Sequence, residues 1–554
     1  MNNQLDILFF ILAFLWIIKS SRAFLFWIYL WQLKDYHSLR FLDHFRTEKG
    51  KKLLLGVLPT VKAALLIYAL ILPRTDISIW QLYAVWIFVL MAFYIVEIYK
   101  FVREIISRTL KIPVFTVKTI ALGFLALLIQ AAILGVVLYK FYYLQSYIYW
   151  FALYLLLFDV LMPIIATITV LFVHFFTVIF FRNKVISLAK QKRQQFKNLT
   201  VIGITGSYGK TSTKEFLYQI LSSKLKVIET KENKNSEVGI SQTILNDLKE
   251  GCEVFIVEMG AYNKNGIKLL SDIIQPKIGI VAGVNEQHLA TFGTMENLLS
   301  AEGGEELLNN LPADGTAIFN GNNEYCLSLA KKINIKKKIA TVSKEDYSDI
   351  WAENVETHKD SLIFNVRSKN NDFAAFKVGL IGSFNIENLL LAISGAKELG
   401  MSLGEISAAC RNILPMPGQM ELKTDKNGVS VINSTYSANP NSVIAHLEHL
   451  KHWEGQKVII MPSLIELGKA SDFVHNKIGK KIGEVCDFAI IVAKEQFKNI
   501  KQGAIQSGMD ENKIVNVDQK EKILHLIQPY FDSKNVILLE GRLEKGIVSA
   551  ILRK

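Results

Sequence analysis

Cysteine is scarce in this chain of 554 residues, and acidic residues are scarce in its first third. The four cysteines (Cys252, Cys326, Cys410, Cys486) are widely spaced and form no CxxC pair. That excludes a disulfide framework and a thiolate zinc site, and it reads as reduced, packed thiols in a cytosolic compartment. Residues 1–198 hold 8 Asp and Glu against 22 Lys and Arg, whereas residues 199–554 hold 42 against 41. The net charge of +13 therefore describes the first part alone, and no nucleic-acid partner is needed to explain it. No internal repeat is visible among the apolar segments, which counts against a transporter built from repeated halves. The first apolar segment lacks the cleavage pattern of a removable signal peptide.

Apolar runs are abundant in that first part. Five are long enough to cross a bilayer: Leu5 to Trp31, Leu53 to Leu72, Ile79 to Tyr99, Phe115 to Tyr139 and Tyr147 to Phe181. Leu33 to Lys52 carries six Lys and Arg, Lys100 to Pro113 four and Arg182 to Asn198 six, whereas the connections near Arg74 and Lys140 carry one each. Positive charge is retained in the cytoplasm, so the N-terminus is expected outside and the second half inside. The expected location is the inner, cytoplasmic membrane, with the lipid bilayer itself as a partner. Lys19 and Arg22 interrupt the first run, so its latter part, AFLFWIYLWQL, reads as interfacial or re-entrant as readily as spanning. Pro163 is expected to kink or divide the last run. Within the runs, Lys62, Gln130 and Asp159 carry the polarity, and a lone charge at that depth costs several kcal/mol. Lys62 and Asp159 both count to mid-membrane and are predicted to pair, as a structural ion pair or as a grip on a lipid-linked substrate or partner helix.

Ile202 to Glu215 reads IGITGSYGKTSTKE, a glycine-bearing turn closing on Gly209-Lys210-Thr211 between a buried strand and a helix. Glycines at Gly206 and Gly209 let backbone amides face one small space, the helix start favours negative charge, and Lys210 brings a cation to the outer phosphates. Ser207, Thr211 and Ser212 complete this ATP cradle, and the Thr211 hydroxyl is placed for Mg2+. The generic pattern asks for glycine where Ile204 stands, so this is a shorter variant.

Beyond Leu199, strands such as VIGIT, KVIET, CEVFIVEM, KIGIVAGV, VSVIN, VIIMPS, FAIIVA and NVILLE alternate with helical stretches. That order predicts an α/β fold with a parallel sheet and a site at its C-terminal edge. Glu258 ends one strand, where a metal beside phosphates favours hard oxygen, and Asn285 and His288 follow the next. A histidine after a strand is more often a packing residue, and here its neighbours argue for a second metal ligand.

In this half the chain resembles the Mur ligases, ATP-dependent amide-forming enzymes of cell-wall synthesis, and most closely the branch that adds D-alanyl-D-alanine. GITGSYGKTSTKE is similar to the family's ATP loop, ENKNSEVGIS to its Asn-rich loop, with Asn233 and Asn235 toward substrate, and VEMGAYN with NEQHLATFGT to its metal segments. GSFNIENLLLA resembles the nucleotide-contacting helix start, carrying Asn385 and Asn388, and STYSANPNS the turn opening the C-terminal domain, carrying Asn439. MPSLIELGKASDFVHNKIG resembles a late segment ending in a histidine helix. The resemblance covers residues 199–554 in family order. The apolar runs mark a membrane domain at 1–198, and the resemblance implies a central P-loop ATPase domain at 199–416 and a smaller Rossmann-like C-terminal domain at 417–554. It also implies a reaction in which ATP phosphorylates a carboxylate and an amine displaces the phosphate. Lys210, His288 and Glu302 would be catalytic there, with Mg2+ on Thr211 and Glu258 and a second Mg2+ at His288.

Five positions depart from the family pattern. Glu302 stands where a lysine that becomes carbamoylated is usual, Gln419 for a phosphate-contacting arginine, Ser434 for an aspartate near the ribose, Phe384 for a histidine and Glu540 for a lysine. The membrane module also takes the place of the family's UDP-binding domain, which implies a lipid-linked or membrane-presented acceptor and an amino acid or short peptide as amine. The leading expectation is a membrane-anchored ligase of an envelope precursor. The alternatives are an ATP-binding scaffold without turnover and an ATP-driven flippase.

Overall fold

Two compact units divide the chain, Met1–Asn183 and Lys184–Lys554. The computed structural model describes residues 3–34, 36–45, 47–71, 80–143, 148–231, 234–261, 263–285, 292–424, 428–436, 438–465, 467 and 470–552.

The first unit is helical: α1 (Asn3–Leu33), α2 (Ser38–His44), α3 (Glu48–Leu55), α4 (Val57–Ile71), α5 (Trp80–Ile106), α6 (Val117–Tyr143) and α7 (Ile148–Thr177). Among the described residues five helical stretches are long and apolar enough to cross a membrane. Their outward faces carry Phe10, Phe14, Phe88, Phe124 and Phe172, all exposed. Water would penalise that much bare aromatic surface, and hydrocarbon would not. α1 is one continuous helix of 31 residues, so AFLFWIYLWQL is no re-entrant piece. Its interrupting charge points inward: Lys19 is buried, and Arg22 reaches Glu104 at 2.7 Å. Pro163 sits inside α7 without dividing it.

Charge collects at the centre of this bundle. Lys62 Nζ lies 3.1 Å from Asp159 Oδ2 and 2.9 Å from Glu97 Oε1, so the structure brings the predicted pair together. Lys19 joins them, ion-paired with Asp159 and 3.5 Å from Glu97. Two ammonium groups thus face two carboxylates, which is how buried charge is tolerated. The sequence reading missed Glu97 because it ended that span at Tyr99, whereas α5 runs on to Ile106 and leaves Glu97 well inside. Gln130 donates to Ser20 Oγ and accepts from Ser21 Oγ, each at 3.1 Å.

The second unit begins with α8 (Asn183–Gln195), ahead of the Leu199 boundary read from sequence. Arg193 fastens this helix by donating to the carbonyls of Ile274 and Phe196 at 2.8 and 2.9 Å, and Lys192 donates to Leu245 O. Strands β1 (Thr200–Thr205), β2 (Val227–Glu229), β3 (Val254–Glu258), β4 (Ile278–Val281), β5 (Thr316–Asn320), β6 (Lys336–Thr341), β7 (Ile350–Thr357), β8 (Leu362–Ser368) and β9 (Phe373–Val378) form one sheet in the order 2-3-1-4-5-6-7-8-9. β2 to β7 pair in parallel around β1, and β7, β8 and β9 follow antiparallel. The parallel strands are apolar throughout because helices cover both faces, including α9 (Lys210–Leu221) and helix Asn385–Glu398.

A second sheet holds β10 (Glu421–Thr424), β11 (Ser430–Ser434), β12 (Lys457–Met461), β13 (Phe488–Ile491), β14 (Ile514–Asn516) and β15 (Val536–Glu540) in the order 10-11-15-12-13-14, parallel except for β10. It is the doubly wound arrangement expected for the C-terminal part.

Candidate active site

The C-terminal ends of β1, β3 and β4 converge because β1 lies between the other two, pairing Ile204 with Glu258 and Thr205 with Val281. The loop leaving β1 turns at Gly206, whose φ is 143°, and is laid onto β4's extension by Ser207 N–H and Tyr208 N–H, both donating to Gly283 O. Gly209, at φ 80°, opens α9. A Cβ there would meet Asn388 Oδ1 at 2.5 Å, so glycine is required both for the turn and for the close approach of Asn388. The first amides of α9 have no partner within the helix, an arrangement that suits an anion.

Each loop side chain is fixed from outside. Lys210 donates to Gly206 O and lies 3.8 Å from the buried Glu302 carboxylate. Ser207 Oγ donates to Asn285 O at 3.4 Å. Ser212 Oγ donates to Gln419 Oε1 at 2.9 Å, and Tyr436 shares a hydrogen bond with Thr211, so the beginning of the C-terminal part touches the loop helix twice. Thr213 Oγ1 donates to Asn388 Oδ1 at 3.4 Å, and Asn385 Nδ2 donates to Ile381 O at 2.8 Å. Asn388 thus braces the loop from behind, while Asn385 ties down the start of its own helix.

Glu258 offers the clearest sign of a missing charge. It is buried, Asn235 donates to its Oε1 at 3.1 Å, and its Oε2 is buried with no hydrogen-bond partner among the described residues. An unmet carboxylate oxygen beside a phosphate cradle suits a hard divalent cation, so the residues present fit Mg2+. Among the described residues no three His, Cys, Asp or Glu cluster as a metal set. His288 and Asn233, both predicted site residues, lie outside the described residues. Asn439 is the N-cap of helix Pro440–His449, its Oδ1 accepting from Ser442 N–H at 2.9 Å.

Sequence reasoning passed over two further groups. Lys214, fully buried, donates to Thr230 O at 2.6 Å and lies 3.0 Å from Glu215 and 3.5 Å from Glu229. Burial pushes the Glu229 carboxyl up to about 7, with Lys214 pulling against it. Burial alone would lower Lys214, but Glu229 and Glu215 outweigh it and hold the ammonium above its ordinary range. The second group is centred on His446. Glu540 accepts from His446 Nδ1 at 2.7 Å, Ser434 Oγ lies 3.2 Å from the same nitrogen, and the Phe384 ring stands 5.0 Å from the imidazole. Three of the five departures from the family pattern therefore meet at one residue. Ser434 and Glu540 come together as register partners on β11 and β15, a pairing that only the folded sheet shows.

Residues 204–396 match the Mur ligase middle domain, and residues 418–543 match the family described as Mur ligase, glutamate ligase domain. A Bacillus subtilis UDP-N-acetylmuramoyl-tripeptide–D-alanyl-D-alanine ligase is 25% identical over 356 residues, covering 64% of this chain and 75% of its own length. The Buchnera aphidicola enzyme of the same name is 31% identical over 285 residues, covering 51% of this chain and 61% of its own. Among solved structures, MurF from Acinetobacter baumannii aligns with a TM-score of 0.59 at 24% identity, over 67% of this chain and 80% of that one. MurF ligase from Thermotoga maritima in complex with ADP aligns with a TM-score of 0.57, also at 24% identity, over 66% and 82%. At that identity the structures speak for the fold.

Proposed function

Because this chain belongs to the Mur ligase family, close to its D-alanyl-D-alanine-adding branch, we propose that it is a membrane-anchored, ATP-dependent peptide ligase acting on a peptidoglycan precursor at the cytosolic face. The observation that carries this reading is the juxtaposition, on adjacent strands, of the cradle around Lys210 with the unmet Glu258 oxygen. A phosphate grip and a cation seat side by side are what phosphoryl transfer from ATP requires.

In the proposed reaction the acceptor carboxylate attacks the γ-phosphorus of ATP, giving an acyl phosphate and ADP. The amine of an amino acid or short peptide then attacks the acyl carbon, phosphate leaves, and the amide forms. Thr211, Glu258 and His288 would hold Mg2+, which neutralises charge on the transferring phosphate. The α9 amides orient the phosphates, and Lys210 follows the charge that builds on the leaving oxygens. Glu302 holds Lys210 within reach and supplies a carboxylate where the family's modified lysine would stand. Gln419 and Tyr436 bring the C-terminal part onto the loop helix, which excludes water from the reactive phosphate.

Helix α8 leads into β1 with the apolar helices ahead of it, which supports an acceptor carried on a lipid or presented at the membrane. The test uses the full chain in lipid nanodiscs. ADP and phosphate should appear only when carboxylate and amine substrates are both present, and mass spectrometry of envelope precursors with and without the protein should reveal the added residue. Nucleotide binding without turnover would favour a scaffold, and turnover driven by lipid alone would favour transport.

A further inference from the structure

Three helix ends meet on one side of the first unit. Tyr36 follows α1, Lys118 stands in the first turn of α6, and His174 lies in the last turn of α7. Lys118 Nζ donates to His174 Nδ1 at 2.7 Å and sits 3.3 Å from the centre of the Tyr36 ring, which itself stacks on the imidazole at 5.8 Å and 18°. Tyr36 holds this place with φ at 58°, a left-handed backbone that a residue bearing a Cβ adopts only when its surroundings fix it. Its amide donates back to Trp31 O at 2.9 Å. Gln32 clamps the segment ahead of α6 by donating to Val114 O and accepting from Val114 N–H, at 3.0 and 2.7 Å.

The mid-bundle ammonium groups are matched by carboxylates. This one is not: among the described residues no carboxylate lies within ion-pair distance of Lys118 or His174. A cation–π contact orients an ammonium and leaves its charge in place. Because His174 accepts through Nδ1, its other ring nitrogen carries the proton, and the Tyr36 hydroxyl oxygen is buried with no hydrogen-bond partner among the described residues. The cluster therefore offers an ammonium, an imidazole N–H and a phenol hydroxyl, and its missing complement is an anion with several acceptor oxygens. Large apolar side chains flank it in sequence, Phe115 and Val117 before Lys118 and Phe175 after His174, all exposed. The charge runs Leu33 to Lys52, Lys100 to Pro113 and Arg182 to Asn198 place this end on the cytosolic side.

We propose that Tyr36, Lys118 and His174 bind the phosphoryl group of a membrane lipid at the inner surface of the bilayer, with its chains along the exposed apolar residues beside them. This rests on the membrane reading of the first unit and is independent of ligation, since no nucleotide enters the test.

The full-length protein is released from phosphatidylcholine nanodiscs doped with phosphatidic acid, and retained lipid is read by native mass spectrometry. The wild type should retain phosphatidic acid over phosphatidylcholine, and Lys118→Gln and His174→Leu should each lower that retention about tenfold. Lys118→Arg should keep it. Lys140→Gln should keep it as well, although it removes a Lys–Tyr contact with Tyr154 near the other end of α6. Soluble pyrophosphate should not displace the lipid. Equal retention in all variants, equal loss in Lys140→Gln, or loss in Lys118→Arg matching that in Lys118→Gln would overturn the proposal. Displacement by soluble pyrophosphate would also overturn it, making the cluster a free-anion site.

Discussion

His446 and Glu540 share a 2.7 Å hydrogen bond in the interior of the C-terminal part, linking the helix after β11 to the end of β15. Glu540 is fully buried and Phe384 packs against the imidazole. Phe384, Ser434 and Glu540, read from sequence as departures from the family pattern, thus share one neighbour, His446. His446→Leu would strand the buried carboxylate and lower unfolding free energy by about 3 kcal/mol, read by denaturant melts. The double variant with Glu540→Leu should recover part of that loss, since donor and acceptor are removed together.

Lys210→Ala should cut ATP turnover by about a hundredfold or more while leaving the melting temperature near that of the wild type. Gly209→Ala should reduce nucleotide affinity, measured calorimetrically, because its methyl group collides with Asn388 Oδ1.

Glu302 bears its carboxylate permanently, so turnover should not respond to removal of bicarbonate from the buffer. Glu302→Gln should lower turnover about tenfold or more by removing charge beside Lys210.

Asp159 touches both Lys19 and Lys62. Asp159→Leu leaves two ammonium groups facing Glu97 alone and should destabilise the helical unit by about 3 to 5 kcal/mol in lipid, read by thermal aggregation. Combining it with Lys62→Leu should restore much of the loss.

Glu229 titrates near 7 in the folded chain, above its ordinary value of 4.5. The folded state then binds the proton more tightly than the unfolded chain, so this residue's contribution is full below about pH 4.5 and is lost as pH rises through 7. Melting temperature measured across that window should fall less steeply with pH in Glu229→Gln than in the wild type.

Much of this was legible in the chain. Charge asymmetry and apolar length marked the helical unit, and the loop from Gly206 to Ser212, followed by Glu258 at a strand end, located the cradle and its neighbouring carboxylate. Alternation of strands and helices was readable where strands are continuously apolar. β7 and β9 were not, because they mix polar with apolar residues near the sheet edge and resemble surface loops. Glu97, Tyr436 and His446 were missed for another reason. Their meaning lies in partners on distant segments, and no local spacing encodes a neighbour contributed by a different helix or strand.

The quartet of Lys19, Lys62, Glu97 and Asp159 sums to zero formal charge. An electric potential across the bilayer does work only on net charge displaced through it, about 2.3 kcal/mol per elementary charge for each 100 mV. On the membrane reading proposed above, a rearrangement that carries all four groups together moves no net charge of this quartet through the bilayer, so the quartet itself gives voltage nothing to act on.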